Sequence, residues 1–575
     1  MARTLDVEQL INPDTLATTI ANRWEEWRGY RTKWELDKRE LRNYIYATDT
    51  KTTTNNKNGW ANSTTTPKLC QIYDNLKANY EAALFPQDIW FKFLPGSEAE
   101  TDKQKADIVK AYMKDKLRLS NFRTVVDRLL DDWVQTGNCF ATVDYERNFT
   151  ALETGETIAG YIGPRLVRIS PYDISFDPTA VSFDKTPKIV RTIKTMGEIT
   201  VEAETNPEYR ALLEKAQYAR SEVGSGAQTE KSEGFIADGF TSLENYYQSG
   251  YVEFLTLYGD VYDSYTGKAY RNRIITIADR AYVVEDRPNP SWLGTAPIFH
   301  CSWRSRPDNL YGMGPLDNLV GLQYRIDHLE NMKADVFDLI ASPVIKVKGD
   351  VEEFDYKPGE RIILGEEGDV GFLVPDATVL NADLQIADLA NKMEELAGAP
   401  RMAMGIRTPG EKTAFEVQTL DNAANRIFNH KAAKYEMEFL EPILNAMLEA
   451  ARRNMMDIES IPMDLEEGVV MFQDITKEDI ASSGKLVPMG ARHFAETARR
   501  TQTLNQMIQI KAAMPDIGTH WSGKTIAKLL AEELREDSVY GENIQVSESL
   551  EMQKAMQDAQ VDLEEDQMIK MEQGL

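Results

Sequence analysis

Apolar positions along the chain switch between helical and strand spacing, and the switches divide the sequence into blocks. From Thr18 to Ala47, Trp24, Trp27 and Trp34 recur at roughly helical intervals among charged positions, which is typical of a helix with one packed face. The next stretch, Thr48 to Thr66, is polar and rich in Thr and Asn, and it predicts a long loop or an extended arm. Further helices are predicted over Pro67 to Leu84, Asp102 to Leu119 and Phe122 to Gln135.

Strand patterns dominate the following part of the chain. Five segments carry alternating, β-branched or aromatic residues between turn signals, and they begin at Asn138, Leu166, Val190, Tyr251 and Arg273. Gly267 lies between the last two, in a stretch that predicts a hairpin connection. A helix near Pro207 to Val223 and a Gly/Ser/Glu-rich linker at Gly224 to Gly234 interrupt the strands. Together with the N-terminal helices, these segments predict an α+β unit of roughly three hundred residues.

The pattern then becomes helix, small β element, helix. The first helix is predicted from Tyr311 to Ile340 and is ended by Ser342-Pro343. Short apolar runs separated by KPGE and GEEGDVG predict a β element from Val344 to Pro375. A second helix, Ala382 to Ala397, stops at a Gly-Ala-Pro sequence, and an irregular segment from Arg401 to Lys412 follows it.

The longest helical pattern runs from Thr413 to about Arg453. Thr413 and Glu416 have the spacing of a capping box, in which each side chain satisfies a backbone N–H at the start of the helix. Pro442 lies inside the pattern and predicts a kink, because proline lacks a backbone donor and crowds the carbonyl one turn back. Beyond an irregular stretch, VVMFQD predicts one more strand. Helices at Ala491 to Ala513 and Lys524 to Arg535 precede an acidic tail.

Composition narrows the class of protein. The chain of 575 residues is 42% hydrophobic and 27% charged, which indicates a folded protein of two to four structural units and, overall, a predominantly helical α+β fold. Its net charge of −27, from 65 basic and 92 acidic residues, disfavours an ordinary nucleic-acid-binding protein. Two interpretations stay open: weak, local contact with DNA, or a plain acidic surface that keeps the protein soluble. No membrane span or signal peptide is predicted, so we expect a cytoplasm-like compartment or a particle assembled there.

Candidate chemistry is sparse. Three separated cysteines (Cys70, Cys139, Cys301) predict buried free thiols, and five histidines show no ligand spacing, so we predict no metal, no cofactor and no enzyme activity. Gly518 to Thr525 fits the phosphate-binding loop pattern G-x-x-x-x-G-K-[ST], but Pro515 interrupts the place of the required strand. The tryptophan-rich N-terminal helix is either a base-stacking platform or, as we prefer, part of a core or interface.

Three segments carry a resemblance to a known family: Arg168 to Thr200, Phe299 to Val336 and Glu411 to Leu444. In their order and spacing they resemble the portal proteins of short-tailed bacteriophages. The resemblance implies a fold of wing, stem, clip and crown that closes into a ring, usually of twelve copies, at the portal vertex of the capsid. It also implies double-stranded DNA passing non-specifically during packaging and ejection. The implied partners are the terminase motor, tail adaptor proteins, and the major capsid or scaffolding protein, with assembly in the host cytoplasm.

Carried over by position, the resemblance assigns residues 1–310 to the wing, 311–341 and 381–397 to the stem helices, and 342–380 to the clip. Residues 413–490 become the kinked helix and a returning wing strand, and 491–575 the crown and acidic tail. A tunnel loop at 398–412 would face DNA through Arg401, Arg407 and Lys412. The implied clip contacts with terminase or adaptor are Glu352, Glu353, Tyr356, Lys357, Arg361, Glu366 and Glu367.

Two alternatives belong to other classes. One is a different virion structural component, such as an adaptor or a capsid protein, which the helix, β element, helix order disfavours. The other is an ATP-hydrolysing packaging enzyme that uses Gly523, Lys524 and Thr525. For the tunnel loop the plain alternative is a surface connector with incidental charges.

Overall fold

The computed structural model describes residues 14–47, 61–86, 90–96, 100–151, 157–205, 209–211, 213–214, 250–349, 351–352, 362–373, 381–397, 426–455, 458–465, 469–481 and 484–490. The chain divides into two units, Met1–Pro488 and Met489–Leu575. The described residues belong to the first unit, apart from the two at the start of the second. The predicted crown helices after Ala491 and the phosphate-loop pattern therefore lie outside the described residues.

The elements of the first unit follow the predicted blocks closely. The helices are α1 (Thr15–Ile45), α2 (Lys68–Leu84), α3 (Glu100–Leu119), α4 (Phe122–Thr136), α5 (Met196–Thr205), α6 (Val320–Ala341), α7 (Asp383–Ala397), α8 (Arg426–Tyr435), α9 (Glu441–Asn454) and α10 (Lys477–Ile480). The strands are β1 (Phe91–Pro95), β2 (Asn138–Ala151), β3 (Thr157–Ile169), β4 (Ile174–Phe176), β5 (Lys188–Thr195), β6 (Tyr251–Asp263), β7 (Lys268–Ala278), β8 (Tyr282–Pro288), β9 (Ile298–Ser302), β10 (Arg304–Arg306), β11 (Asn309–Met313), β12 (Val344–Lys348), β13 (Asp369–Leu373), β14 (Ile458–Leu465), β15 (Val469–Thr476) and β16 (Gly484–Pro488). This mixture of helix and strand is compatible with the predicted α+β class.

Helix α1 packs on a five-stranded sheet with the order β4-β5-β6-β7-β8. Its Trp24 and Trp27 are buried in one cluster with sheet residues, among them Leu255 and Ile275. Burial of a large aromatic side chain removes much apolar surface from water, so this face of α1 is held by the hydrophobic effect. The tryptophans are thus core residues, as preferred, and the base-stacking interpretation is wrong for Trp24 and Trp27.

Tight hairpin turns connect strands β6, β7 and β8 of the five-stranded sheet. Gly267 adopts a positive φ of 68° in the predicted hairpin between β6 and β7, which pair antiparallel. The segment predicted as one strand from Arg273 is in fact two strands, β7 and β8. Asp279 and Arg280 both adopt positive φ, and the Ala281 N–H donates to the Ala278 carbonyl at 3.0 Å, so the chain reverses there in a tight hairpin turn.

A second, three-stranded sheet with the order β3-β2-β9 lies against helices α4 and α9. Cys139 on β2 and Cys301 on β9 are directly opposite each other in the strand register, and both are buried free thiols as predicted. Burial raises the pKa of Cys139 well above its usual value, which keeps this thiol protonated and unreactive. Cys70, by contrast, is only half-buried.

Several local predictions were wrong. Helix α6 begins at Val320 and not at Tyr311, because Tyr311 is a buried residue of strand β11 and Pro315 disfavours a helical conformation in the residue before it. The stretch predicted as irregular after Arg453 contains strand β14, which pairs with β15. Short strand β1 pairs with β16 nearly 400 residues later in the chain, and neither strand was predicted. Helix α5 was also missed.

Candidate functional site

Helices α6 and α7, with the strands β12 and β13 between them, form what we call the stem unit. The two helices contact each other, and Lys333 on α6 forms an ion pair of 2.5 Å with Asp383 on α7. Strands β12 and β13 pair antiparallel from Val344↔Leu373 to Lys348↔Asp369. The helix, β element, helix order predicted from the sequence is therefore present, and the remaining described elements of the first unit are called the body.

The burial of helix α6 decreases along its length. Its buried residues are Gln323, Ile326, Asp327, Leu329 and Asn331, all within the first twelve of its 22 residues. In the second half the apolar side chains of Met332, Phe337 and Ile340 are 38%, 51% and 37% exposed. A helix that is stable in water normally turns such residues towards a core. The second half of α6 thus leaves a packing surface that the described part of the chain does not cover.

The two strands carry further exposed apolar side chains, and their register places Val344 and Leu373 on one face of the hairpin and Val347 and Phe372 on the other. Val344 and Val347 on β12 are 54% and 51% exposed, and Phe372 and Leu373 on β13 are 52% and 56% exposed. A two-stranded sheet is marginally stable in water without a partner layer. Scattered apolar residues on a protein surface are ordinary, but several half-exposed ones concentrated in one small unit indicate an interaction surface. We call these residues, with Phe337 and Ile340, the apolar stem face.

Three of the seven predicted clip residues are described, and they lie between strands β12 and β13 in the sequence. Glu352, Glu366 and Glu367 are exposed, whereas Glu353, Tyr356, Lys357 and Arg361 lie outside the described residues. Gly349 has a positive φ of 78°, and a Cβ there would be 2.3 Å from the Glu367 carbonyl oxygen. Only glycine fits this close backbone approach, so Gly349 sets the direction in which the chain leaves strand β12.

A polar ladder, which sequence analysis missed, ties the stem unit to the body. Side chains at every fourth position of α6 face the extended segment of residues 61–66, where alternate residues point towards the helix. The Thr66 N–H donates to Asp327 Oδ1 at 2.9 Å, the Thr64 N–H donates to Asn331 Oδ1 at 2.9 Å, and the Asn62 N–H donates to Asp335 Oδ1 at 2.6 Å.

The matching repeats of the extended segment and of helix α6 explain why the hydrogen bonds recur along the ladder. Two residues of extended chain advance by about 6.6 Å and four residues of helix by about 6.0 Å, so the two repeats stay in step over three rungs. The amide of Asn331 also donates back to the Thr64 carbonyl at 2.8 Å, and Gln323 Nε2 donates to the Thr66 carbonyl at 2.6 Å. Asp327 and Gln323 are fully buried, which makes each of these bonds costly to lose.

The chain after the ladder also holds the second stem helix. The Leu69 N–H at the start of α2 donates to Gln323 Oε1 at 3.1 Å. One residue earlier, Lys68 forms an ion pair of 2.5 Å with Glu394 of α7, whose side chain is 4% exposed. Both stem helices are therefore attached to the first turn of α2, and a displacement of α2 would be transmitted to them.

Other predicted site residues fall elsewhere. The tunnel-loop residues Arg401, Arg407 and Lys412, and the capping box of Thr413 and Glu416, lie outside the described residues. Around Pro442 the helix is irregular, because a π-helical turn over Glu436–Leu440 joins α8 to α9 immediately before the proline. A locally wider turn relieves the same crowding that predicts a kink, although the kink itself stays a prediction.

No helix in the described ranges is long and apolar enough to cross a membrane. Within the same ranges, no group of three or more His, Cys, Asp or Glu side chains is placed to hold a metal ion. The surfaces that the geometry offers are therefore a protein-contact surface on the stem unit and its polar attachment to the body.

Comparison with known families adds the class of protein. Residues 17–159 match the family model described as bacteriophage head to tail connecting protein. The match covers α1 to α4 and the first sheet strands, and so lies on a different part of the chain from the three segments that carry the resemblance. No curated protein gives a significant match to the chain.

This family is a structural family of phages. The match supports a phage portal or connector protein, which confirms the resemblance recognised in the sequence. It also supports a head-to-tail connecting role for the chain, as a virion component at the capsid that associates with capsid and tail components.

Proposed function

We propose that the protein assembles into a closed ring of twelve copies at the portal vertex of the capsid. Double-stranded DNA passes through this ring during packaging and again during ejection. The clip docks the terminase motor first and tail adaptor proteins later, and the wing meets the major capsid or scaffolding protein while the particle assembles in the host cytoplasm.

The apolar stem face carries the proposal of a ring. Its residues are about half exposed in the single chain, and fully burying a side chain of this kind contributes about 1.5–3 kcal/mol. Several of them together favour contact with another copy of the same chain. A ring forms when this surface packs on a different surface of the next copy and the rotation between copies divides a full turn.

The charge balance supports passage of DNA rather than tight binding. Net acidity keeps most of the surface from holding phosphate, and a few basic side chains suffice for transient contacts. We assign such contacts to the tunnel loop through Arg401, Arg407 and Lys412. At the other end of the stem unit, the exposed carboxylates of Glu352, Glu366 and Glu367 suit basic surfaces on docking partners.

Imaging of the purified protein tests the ring. We expect the wild type to form rings and Phe337→Asp, which puts a charge on the apolar stem face, to remain monomeric. Val181→Asp is the matched control, because Val181 is fully exposed on the body and belongs to no apolar surface. Rings that form equally with Phe337→Asp, or a wild type that stays monomeric at all salt concentrations, would contradict the proposal.

The role of the tunnel loop is tested separately. We expect Arg407→Glu and Lys412→Glu to impair packaging or retention of DNA while rings still assemble, because the substitutions change charge in the channel and not the apolar stem face. The measurement is the amount of DNA in assembled heads. Normal packaging and retention by both variants would remove the loop from the mechanism.

A further inference from the structure

Two cationic side chains lie against the Trp303 ring, and we call them, together with a second cation on each of the same two elements, the basic cluster. Arg304 and Arg306 come from strand β10, and Lys431 and Lys434 come from helix α8. Arg304 Cζ lies 5.2 Å and Lys431 Nζ lies 4.5 Å from the centroid of the Trp303 ring. These two charges are therefore less than about 10 Å apart.

In the described part of the chain, three of the four cations of the cluster have no acidic partner. Within the described ranges, no carboxylate lies within ion-pair distance of Arg304, Arg306 or Lys431, and Lys434 has only the half-exposed Glu438 at 3.6 Å. Other cations of the body are paired: Lys38 with Asp317, Lys116 with Glu459, Arg168 with Asp132, Arg191 with Asp173 and Arg280 with Glu253. In a chain with 92 acidic residues, a group of mostly unpaired cations is unusual, and it leaves the surface positively charged at this place.

The individual contacts show which cations are free to bind an outside group. Lys434 is occupied, because it donates to the Ser302 carbonyl and to Ser305 Oγ, each at 2.8 Å. Lys431 uses one of its three donors on the Trp303 carbonyl at 2.6 Å. Arg304 is exposed, and its one contact in the described part is with the face of the Trp303 ring.

Electrostatics within the cluster favours an anion. Burial lowers the pKa of Lys431, and the charges of Lys434 and Arg304 lower it further. A negative group placed between Arg304 and Lys431 would relieve this repulsion and use their remaining N–H donors. Trp303 itself is 2% exposed, so its ring offers no surface on which a nucleic-acid base could stack.

We propose that the basic cluster binds phosphates of a nucleic-acid backbone, with Arg304 and Lys431 as the contact residues. The proposal rests on the proposed function, since it gives the passing DNA a contact point outside the predicted tunnel loop. The two charges span a distance that neighbouring phosphates of one strand can match, and the absence of a base-contacting group makes the contact independent of sequence. Arg306 donates to the Tyr311 carbonyl and so ties β10 to β11, whereas Lys434 of α8 donates to Ser302 and Ser305 beside β10.

The salt dependence of DNA binding by the full-length protein tests this inference. The probe is a labelled 30-base-pair duplex, measured by fluorescence anisotropy in increasing NaCl. We expect Arg304→Gln to reduce the slope of log affinity against log salt by about 0.9, and Arg304→Gln with Lys431→Gln to reduce it by about twice that amount. Two duplexes of unrelated sequence should give the same result.

Controls separate charge at this site from charge in general. Arg165→Gln removes a cation that is 47% exposed but paired with Glu146 at 2.6 Å, and it should leave the slope unchanged. The unfolding midpoint of Arg304→Gln should equal that of the wild type, because Arg304 donates no hydrogen bond within the described ranges. Equal unfolding midpoints would show that a reduced salt slope does not come from a folding defect.

Two outcomes overturn the inference. One is an unchanged salt slope in both Arg304 variants. The other is that polyglutamate competes as well as DNA and loses as much binding with Arg304→Gln, which would assign the cluster to an acidic protein segment. Imaging of the same samples distinguishes this failure from that of the proposed function: rings with unchanged slopes defeat the basic cluster alone, whereas a wild type without rings defeats the ring.

Discussion

The body and the stem unit are built on opposite principles. The body buries large aromatic residues, among them Trp24, Trp133 and Trp303, and the Trp133 ring contacts those of Tyr80 and Tyr435. The stem unit exposes Phe337 and Phe372 and attaches to the body through hydrogen bonds and ion pairs. The difference indicates that apolar packing stabilises the body, whereas polar contacts position the stem unit, which other copies would complete in the proposed ring.

The largest effect is expected in the core of the body. Trp133 is fully buried, with its ring 5.0 Å from that of Tyr80 and 4.8 Å from that of Tyr435. Trp133→Ala should lower the free energy of unfolding by about 3–5 kcal/mol, because it removes these contacts and leaves a cavity. Urea unfolding followed by circular dichroism measures it. Trp292→Ala, at a 37% exposed site, is the control, and equal losses in the two variants would contradict the comparison.

A smaller effect is expected in the polar ladder. Asn331→Ala removes the acceptor of the Thr64 N–H and the donor to the Thr64 carbonyl, and each lost hydrogen bond costs about 0.5–1.5 kcal/mol. We expect residues 61–66 to exchange amide hydrogen about tenfold faster or more, while strands β6 and β7 are unaffected. Met332→Ala, one position along the helix, should change neither region. Unchanged exchange at Thr64 would show that the ladder does not hold the stem unit.

The free energy of unfolding of the body also depends on pH, through His300. Its ring stacks on Phe140 at 4.7 Å, and this burial, with the nearby charges of Lys434 and Lys188, lowers the pKa of His300 to about 3. The unfolded chain has an ordinary histidine pKa near 6.5. Between about pH 3 and pH 6.5, His300 is therefore protonated in the unfolded chain but not in the folded protein. Stability from this group is complete above about pH 6.5 and is lost as pH falls towards 3.

The substitution His300→Phe isolates that contribution. It should make the free energy of unfolding less dependent on pH between 6 and 4, by up to about 1.4 kcal/mol per pH unit. Denaturant titrations of wild type and variant at several pH values provide the measurement. Parallel pH curves for the two proteins would mean that His300 protonates equally in the folded and unfolded chain.

The smallest effect on the single chain is expected on the apolar stem face. Phe337→Asp should change the stability of the monomer by no more than about 0.5 kcal/mol, because its half-exposed side chain has no core to leave. The same variant is expected to abolish assembly. The unfolding free energy of monomer, measured at concentrations below assembly, makes the test. A loss as large as that of Trp133→Ala would place Phe337 in a core and break the comparison.

Sequence pattern predicted the body's helices well, because local periodicity reports burial directly. The spacing of Trp24 and Trp27 predicted the packed face of α1, and Gly267 predicted the β6–β7 hairpin. Tyr311 was assigned to a helix because an isolated apolar residue beside a helical stripe does not reveal its strand partner. That information comes from pairing with β10 and burial against the body.

The candidate site was predictable in outline only. The order of stem helices and β element follows from local pattern, but the ladder joins residues more than 250 positions apart. Gln323, Asp327, Asn331 and Asp335 form a polar stripe at a spacing of four beside the apolar one, and that spacing was the available signal. Their partners, Thr64 and Thr66, lie in a segment without periodicity, where no sequence rule specifies which backbone groups face a helix.

Hydrogen exchange of the hairpin strands β12 and β13, compared between monomer and assembled protein, tests the central claim most directly. The account predicts that β6 and β7 of the body are protected in both states, whereas Val344–Lys348 and Asp369–Leu373 become protected only on assembly. Equal protection of the hairpin in the monomer would contradict it, because the stem unit would then be stable without other copies.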